Sequence, residues 1–185
     1  MGNIRSAPDN TQNDDIEKFS HFSPEDIESW STSFKSTFPN KKITLQNLEQ
    51  QLQEFFPFGD SHNFSKLIFK TINISGTESI DFHELLIAFS ILTKGSSFEK
   101  LRWIFRFYDC DSDGVVSKSE MIYACQSLFE MTNATLDYNL DAKEVVESIF
   151  SELENLSGFL TFEDFRTLAV KKSKSFKLLS NFIMD

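Results

Sequence analysis

The sequence predicts an all-α protein in which four helix–loop–helix motifs form two paired lobes, with short β pairing between loops. Three observations carry this. Apolar residues recur at helical spacing through most of the chain, behind recognisable helix starts. The prolines, Pro8, Pro24, Pro39 and Pro57, all lie in the first third, so the remainder is free to be helical. Between two of the apolar stripes lies an acidic loop rich in aspartate, and weaker copies of it occur elsewhere in the chain.

The first 21 residues are polar and contain Pro, Asn and Asp, which reads as a flexible arm. An N-terminal pair is expected over 22–93, a hinge over 94–97, and a C-terminal pair over 98–185. The first helix starts at Ser23-Pro24-Glu25-Asp26, with Ser23 as N-cap, Pro24 in the first turn, and Phe22 and Ile27 as a hydrophobic staple. Ile27, Trp30 and Phe34 line its face. The second stripe, Leu45, Leu48, Leu52, Phe55 and Phe56, stops at Pro57. Phe64, Leu67 and Ile68 mark the third helix, and Phe82, Leu85, Leu86 and Phe89 the fourth. Lys94-Gly95-Ser96-Ser97 interrupts the pattern. Ser96 and Glu99 then form a capping box ahead of the stripe Phe98, Leu101, Phe105 and Tyr108. A sixth helix follows Ser117 (Met121, Cys125, Leu128), a seventh follows Asp141 and Glu144 (Val145, Ile149, Phe150, Leu153), and an eighth follows Thr161 (Phe162, Phe165, Leu168). A last amphipathic segment carries Phe176, Leu179 and Ile183.

Composition narrows the function. The chain has 185 residues, 28 acidic against 18 basic and a net charge of -10, with 40% hydrophobic residues to build a core. Phosphate is contacted mainly by Lys and Arg, so nucleic acid is not an expected partner. Cys110 and Cys125 form no metal-binding pair, and His21, His62 and His83 are scattered. The 6 glycines are too far apart for a phosphate-cradling loop, and the hydrolase motifs G-x-S-x-G and H-E-x-x-H are absent, so no enzyme is expected. No secretory signal is read at the start, and the run Leu85–Phe89 falls far short of the ~20 residues of a membrane helix. A cytoplasmic protein is expected.

The loop Asp109-Cys110-Asp111-Ser112-Asp113-Gly114-Val115-Val116-Ser117-Lys118-Ser119-Glu120 satisfies D-x-[DN]-x-[DN]-G-x5-E throughout. This is the EF-hand pattern. A hard Ca²⁺ ion is held by many oxygens, supplied here by the carboxylates of Asp109, Asp111 and Asp113, the Val115 carbonyl, Ser117 through water, and both oxygens of Glu120. One Ca²⁺ site is expected, and Mg²⁺ could occupy it. Gly114 allows the positive φ of the turn, and Val116 should pair as a short strand with a partner loop.

The other copies have decayed. Asn73 to Glu84 keeps Ser75, Thr77, Asp81 and Glu84 around Ile80, but starts with an amide and would force Glu78 into a left-handed conformation. No ion is expected there. Ser36 to Asn47, around Ile43, has no carboxylate and reads as a structural remnant. In the fourth copy, the preceding helix puts position 1 at Glu154, whereas Gly158, Leu160 and Asp164 put it at Leu153; both frames lack a ligand set.

The chain resembles the neuronal calcium sensor family, the recoverin, frequenin and visinin-like group. The resemblance is carried by Met1-Gly2-Asn3-Ile4-Arg5-Ser6, the segment around Trp30, Phe55-Phe56-Pro57-Phe58-Gly59-Asp60, Ile80-Asp81-Phe82-His83-Glu84, Thr93-Lys94-Gly95-Ser96, and Lys100-Leu101-Arg102-Trp103 before the intact loop. It implies two EF-hand pairs, a myristoyl group on Gly2, and a groove for an amphipathic helix of a membrane-associated target. That groove would be lined by Trp30, Phe34, Leu52, Phe55, Phe56, Phe82, Leu86 and Phe89. The pattern Met1-Gly2-x-x-x-Ser6 is itself a myristoylation signal. A single myristoyl chain anchors only marginally, and Arg166, Lys171, Lys172, Lys174 and Lys177 near the C-terminus could add contact with acidic lipid, or the same tail could plug the groove. The chain departs from the family in having Phe38-Pro39 in its first loop and one good site instead of several.

These features lead to a myristoylated Ca²⁺ sensor, peripherally membrane-associated, that regulates an effector through its groove. The alternative is a constitutive adaptor or regulatory subunit whose third loop holds Ca²⁺ or Mg²⁺ permanently.

Overall fold

The computed structural model describes residues 22–132, 141–177 and 180, most of them helical. Helix α1 (Pro24–Thr37) starts as its sequence dictates: Ser23 Oγ accepts the Asp26 amide at 3.2 Å, and Pro24 sits in the first turn, where no backbone donor is needed. Phe22 packs beside Ile27, completing the staple. Capping boxes open α2 (Leu45–Phe55, Thr44 with Asn47), α4 (Phe82–Lys94, Asp81 with Glu84), α5 (Ser97–Tyr108, Ser96 with Glu99) and α8 (Phe162–Lys171, Thr161 with Asp164). Between them lie α3 (His62–Ile72), α6 (Lys118–Thr132) and α7 (Ala142–Glu152), the last capped by Asp141.

The helix–loop–helix units pair through their loops. Ile43 and Ile80 exchange both backbone hydrogen bonds at 2.8 Å. Strand β1 (Val116–Ser117) runs antiparallel to β2 (Phe159–Leu160), with Val116 opposite Leu160. Ile80, Val116 and Leu160 are wholly buried, so each pair of loops is closed from behind by an apolar contact.

The two lobes share one core. Helix α3 packs against both α5 and α6, and the Phe64 ring meets Phe107 at 5.7 Å. On its other side α5 meets α8, where Phe105 lies edge-on to Phe165 at 5.1 Å. This double contact changes the face expected for α5. Leu101 and Tyr108 are buried as the stripe requires, but Trp103, Ile104 and Phe107 join them, while Phe98 is exposed and caps the edge of Phe162. Lobe contact also fixes Gly59, where a Cβ would fall 1.7 Å from the Met131 carbonyl oxygen at the end of α6. The next residue, Asp60, donates its amide to the Glu130 carbonyl at 3.1 Å.

Of the last amphipathic segment, Phe176 is buried against Phe165, ring centroids 5.4 Å apart. Leu179 and Ile183 lie outside the described residues, as do Gly2 and the whole expected arm. Among the described residues, no helix is long and apolar enough to cross a membrane.

Candidate metal centre

Asp109 ends α5, its amide bonded to the Phe105 carbonyl at 2.9 Å, and from there the chain turns back through two left-handed residues, Ser112 (φ 64°) and Gly114 (φ 91°). Side chains brace this turn from within. Asp109 Oδ2 accepts the Gly114 amide (3.2 Å), Asp111 Oδ1 the Asp113 amide (3.1 Å), and Asp113 Oδ1 the Val115 amide (2.9 Å). Glu120, in the first turn of α6, reaches across. Its Oε1 accepts the amides of Cys110 (2.9 Å) and Asp111 (3.3 Å), and its Oε2 the amide (2.8 Å) and hydroxyl (2.6 Å) of Ser117.

The result concentrates negative charge. One carboxylate oxygen each of Asp109, Asp111 and Glu120 lies within 4.8 Å of the others. Burial raises the proton affinity of Glu120, but the bonds from Ser117, Asp111 and Cys110 outweigh it and hold the carboxyl below its usual range. Asp109 Oδ1 is buried with no hydrogen-bond partner. An unpaired carboxylate oxygen in such a place is costly, and a divalent cation drawn into the ring of oxygens would relieve it. The residues therefore fit a hard cation. Asp113 stands outside the tight group, and the Ser117 hydroxyl is engaged by Glu120.

The other loops differ in instructive ways. In the second, Asn73 takes the place of Asp109, and its Oδ1 accepts the Thr77 amide (3.1 Å) and the Ser75 hydroxyl (3.2 Å). Glu84 closes the loop on the amides of Ser75 (2.8 Å) and Asp81 (3.1 Å). The left-handed conformation expected of Glu78 does not occur: the positive φ, 67°, falls on Gly76, which adopts it without a Cβ penalty. The first loop keeps its expected frame from Ser36 to Asn47, because Ile43 bridges to Ile80 at the position that Val116 and Leu160 hold in the other pair, but the entering helix runs two residues into it. Ser36 and Thr37 stay in α1, Phe38 ends the helix and packs on Phe34 at 5.3 Å, and Asn47 belongs to the α2 capping box. In the fourth loop the pairing of Leu160 with Val116 decides the register, so Leu153 corresponds to Asp109, the frame that Gly158, Leu160 and Asp164 imply. Glu154 turns left-handed (φ 52°), and Asn155 fills the loop, accepting from Ser157 and Gly158 and donating to the Phe159 carbonyl.

The expected groove residues divide between surface and core. Trp30, Phe55 and Phe89 are exposed, with Trp30 between Phe22 (4.6 Å) and Phe89 (6.5 Å). Phe34 and Leu86 are buried and so are core here, while Leu52, Phe56 and Phe82 sit half-buried at its edge.

Lys70 and Arg106 escaped sequence reading. Arg106 Nη2 donates to the carbonyls of Lys70 and Asn73, each at 3.3 Å, and Lys70 Nζ donates to those of Arg106 (3.4 Å) and Asp109. Each residue alone is an ordinary cation in the last turn of a helix, and no local pattern marks the pair.

Comparison with known proteins agrees with this geometry. Residues 98–170 match the family described as an EF-hand domain pair. The chain is 31% identical to Neuronal calcium sensor 1 of Lymnaea stagnalis over 157 residues, 82% of each chain. It is 30% identical to Recoverin of Homo sapiens over 132 residues, 71% of this chain and 66% of that one.

Proposed function

The chain belongs to the neuronal calcium sensor family of EF-hand proteins, and we propose from that premise that it is a Ca²⁺ sensor acting through its third loop. The observation that carries this is the buried, unpartnered Asp109 Oδ1 inside a cluster of carboxylates. Asp109, Asp111, Asp113, the Val115 carbonyl, Ser117 through water, and Glu120 would hold one Ca²⁺, with Mg²⁺ a competitor for the same oxygens. When bound, the ion would neutralise the mutual repulsion of these groups. Asp109 ends α5 and Glu120 opens α6, so a change in the separation of their carboxylates is passed on as a change in the angle between the two helices.

In this reading the output surface is the aromatic face of the N-terminal lobe. Trp30, Phe55 and Phe89 already reach solvent, while Phe34 and Leu86 behind them are the groove floor that opening would expose. An amphipathic helix of a membrane-associated target fits such a face. A myristoyl group on Gly2 would place the protein peripherally on the cytoplasmic side of a membrane, a weak anchor on its own.

A second reading, the constitutive adaptor with a structural ion, draws support from the other loops, whose inner oxygens are taken up by their own hydrogen bonds. A hydrophobic dye separates the two. The sensor predicts dye fluorescence that rises with Ca²⁺ in wild type and stays flat in Glu120→Gln; equal fluorescence with and without Ca²⁺ would favour the adaptor.

A further inference from the structure

We infer that Lys70 and Arg106 form a reciprocal clamp between the lobes, and that the Lys70 ammonium holds the third loop's affinity for a divalent cation below what the loop alone would give. The inference rests on the third loop being a cation site. It begins with helix ends. Helices α3 and α5 lie side by side and finish at equivalent points, Asn73 and Asp109, the first residues of their loops. The last carbonyls of any helix lack partners within it, and here each helix supplies the cation that satisfies the other. Arg106 of α5 donates to Lys70 and Asn73 of α3, at 3.3 Å each, and Lys70 of α3 donates to Arg106 and Asp109 of α5. Cations are also favoured at helix C-termini by the helix dipole.

Asp109 thereby has two masters. Its carboxylate belongs to the oxygen cluster, and its carbonyl is held by the opposite lobe. Lys70 is half-buried, and its ammonium, bonded to the Asp109 carbonyl, sits beside the residue that contributes a carboxylate to the cluster of Asp109, Asp111 and Glu120. The same carboxylates would attract a divalent cation. Ammonium and cation thus draw on one negative field and repel each other, and partial burial leaves the repulsion less screened than it would be in water. By linkage, whatever Lys70 takes from cation affinity, the cation takes from the clamp.

The test is Ca²⁺ titration calorimetry on the full chain in low and high salt, comparing wild type with Lys70→Gln, Lys70→Met and Lys70→Arg, each first shown by circular dichroism to keep the wild-type fold. Glutamine retains a donor for the two carbonyls without the charge, methionine removes both, and arginine retains the charge. The expected result is about three- to tenfold tighter binding in both uncharged variants at low salt, a gap that narrows as salt is raised, and wild-type affinity in Lys70→Arg. Equal or weaker binding in either folded uncharged variant would overturn the proposal, as would a gain that salt leaves unchanged, which would mark a purely structural effect. Absence of any Ca²⁺ heat from wild type would instead overturn the proposed function, and this inference with it.

Discussion

Glu84 shows how much one side chain does in closing the second loop. Burial opposes its charge, yet the bonds from Ser75, Asp81 and Ile74 prevail and hold its carboxyl below the ordinary 4.5. A carboxyl lowered on folding stabilises the native state fully above its unfolded value, and that contribution is lost as pH falls from 4.5 through the native value. Glu84→Gln should therefore lower stability at pH 7 by about 1 kcal/mol, the scale of a lost cap, and lessen the acid sensitivity of urea midpoints measured between pH 6 and 3. Gly59 makes a different demand. The atom 1.7 Å from its notional Cβ is main-chain oxygen, which cannot swing aside, so Gly59→Ala should cost about 2 kcal/mol or more in urea denaturation. Both cysteines are free thiols, and burial pushes the Cys110 thiol up to about 11 and the Cys125 thiol to about 12. Both should react slowly with iodoacetamide at pH 7 in the metal-free protein and faster once unfolded.

At the scale of elements, the helix starts were the most legible part of the sequence, because a cap is a local event. Ser23, Ser96 and Thr161 each accept the amide three residues on, and that spacing is written in the chain. The intact loop was legible for the same reason, every donor lying between Asp109 and Glu120. Loop registers were harder. The fourth is decided by Leu160 meeting Val116, a contact between distant segments. The paired loops also identify the residue each lobe can least spare. Ile80 is fully buried and bridges to Ile43, so Ile80→Ala should cost about 2–5 kcal/mol. Urea denaturation of the metal-free protein checks it, and a loss below 1 kcal/mol would mean the pairing contributes little.

The whole molecule is less divided than a reading of two lobes and a hinge implies. Phe64 on Phe107, Asp60 on Glu130, Asn63 on Tyr123 and the Lys70–Arg106 clamp all join residues from opposite halves. None of these contacts has a sequence signature, so neither the wider buried face of α5 nor the place of Lys70 can be read from the chain alone. A core that runs through both lobes predicts one cooperative urea transition for the metal-free chain, with far-ultraviolet circular dichroism and the fluorescence of buried Trp103, in a Trp30→Phe background, tracing the same curve. Two separated transitions would mean the lobes fold independently. The central claim, that the third loop is the sensing site, is tested most directly by Ca²⁺ titration calorimetry of wild type and Glu120→Gln in millimolar Mg²⁺. The account predicts one site with a dissociation constant of about 10⁻⁷ to 10⁻⁵ M in wild type and none in the variant. Equal heats from the two proteins, or no Ca²⁺ heat from either, would contradict it.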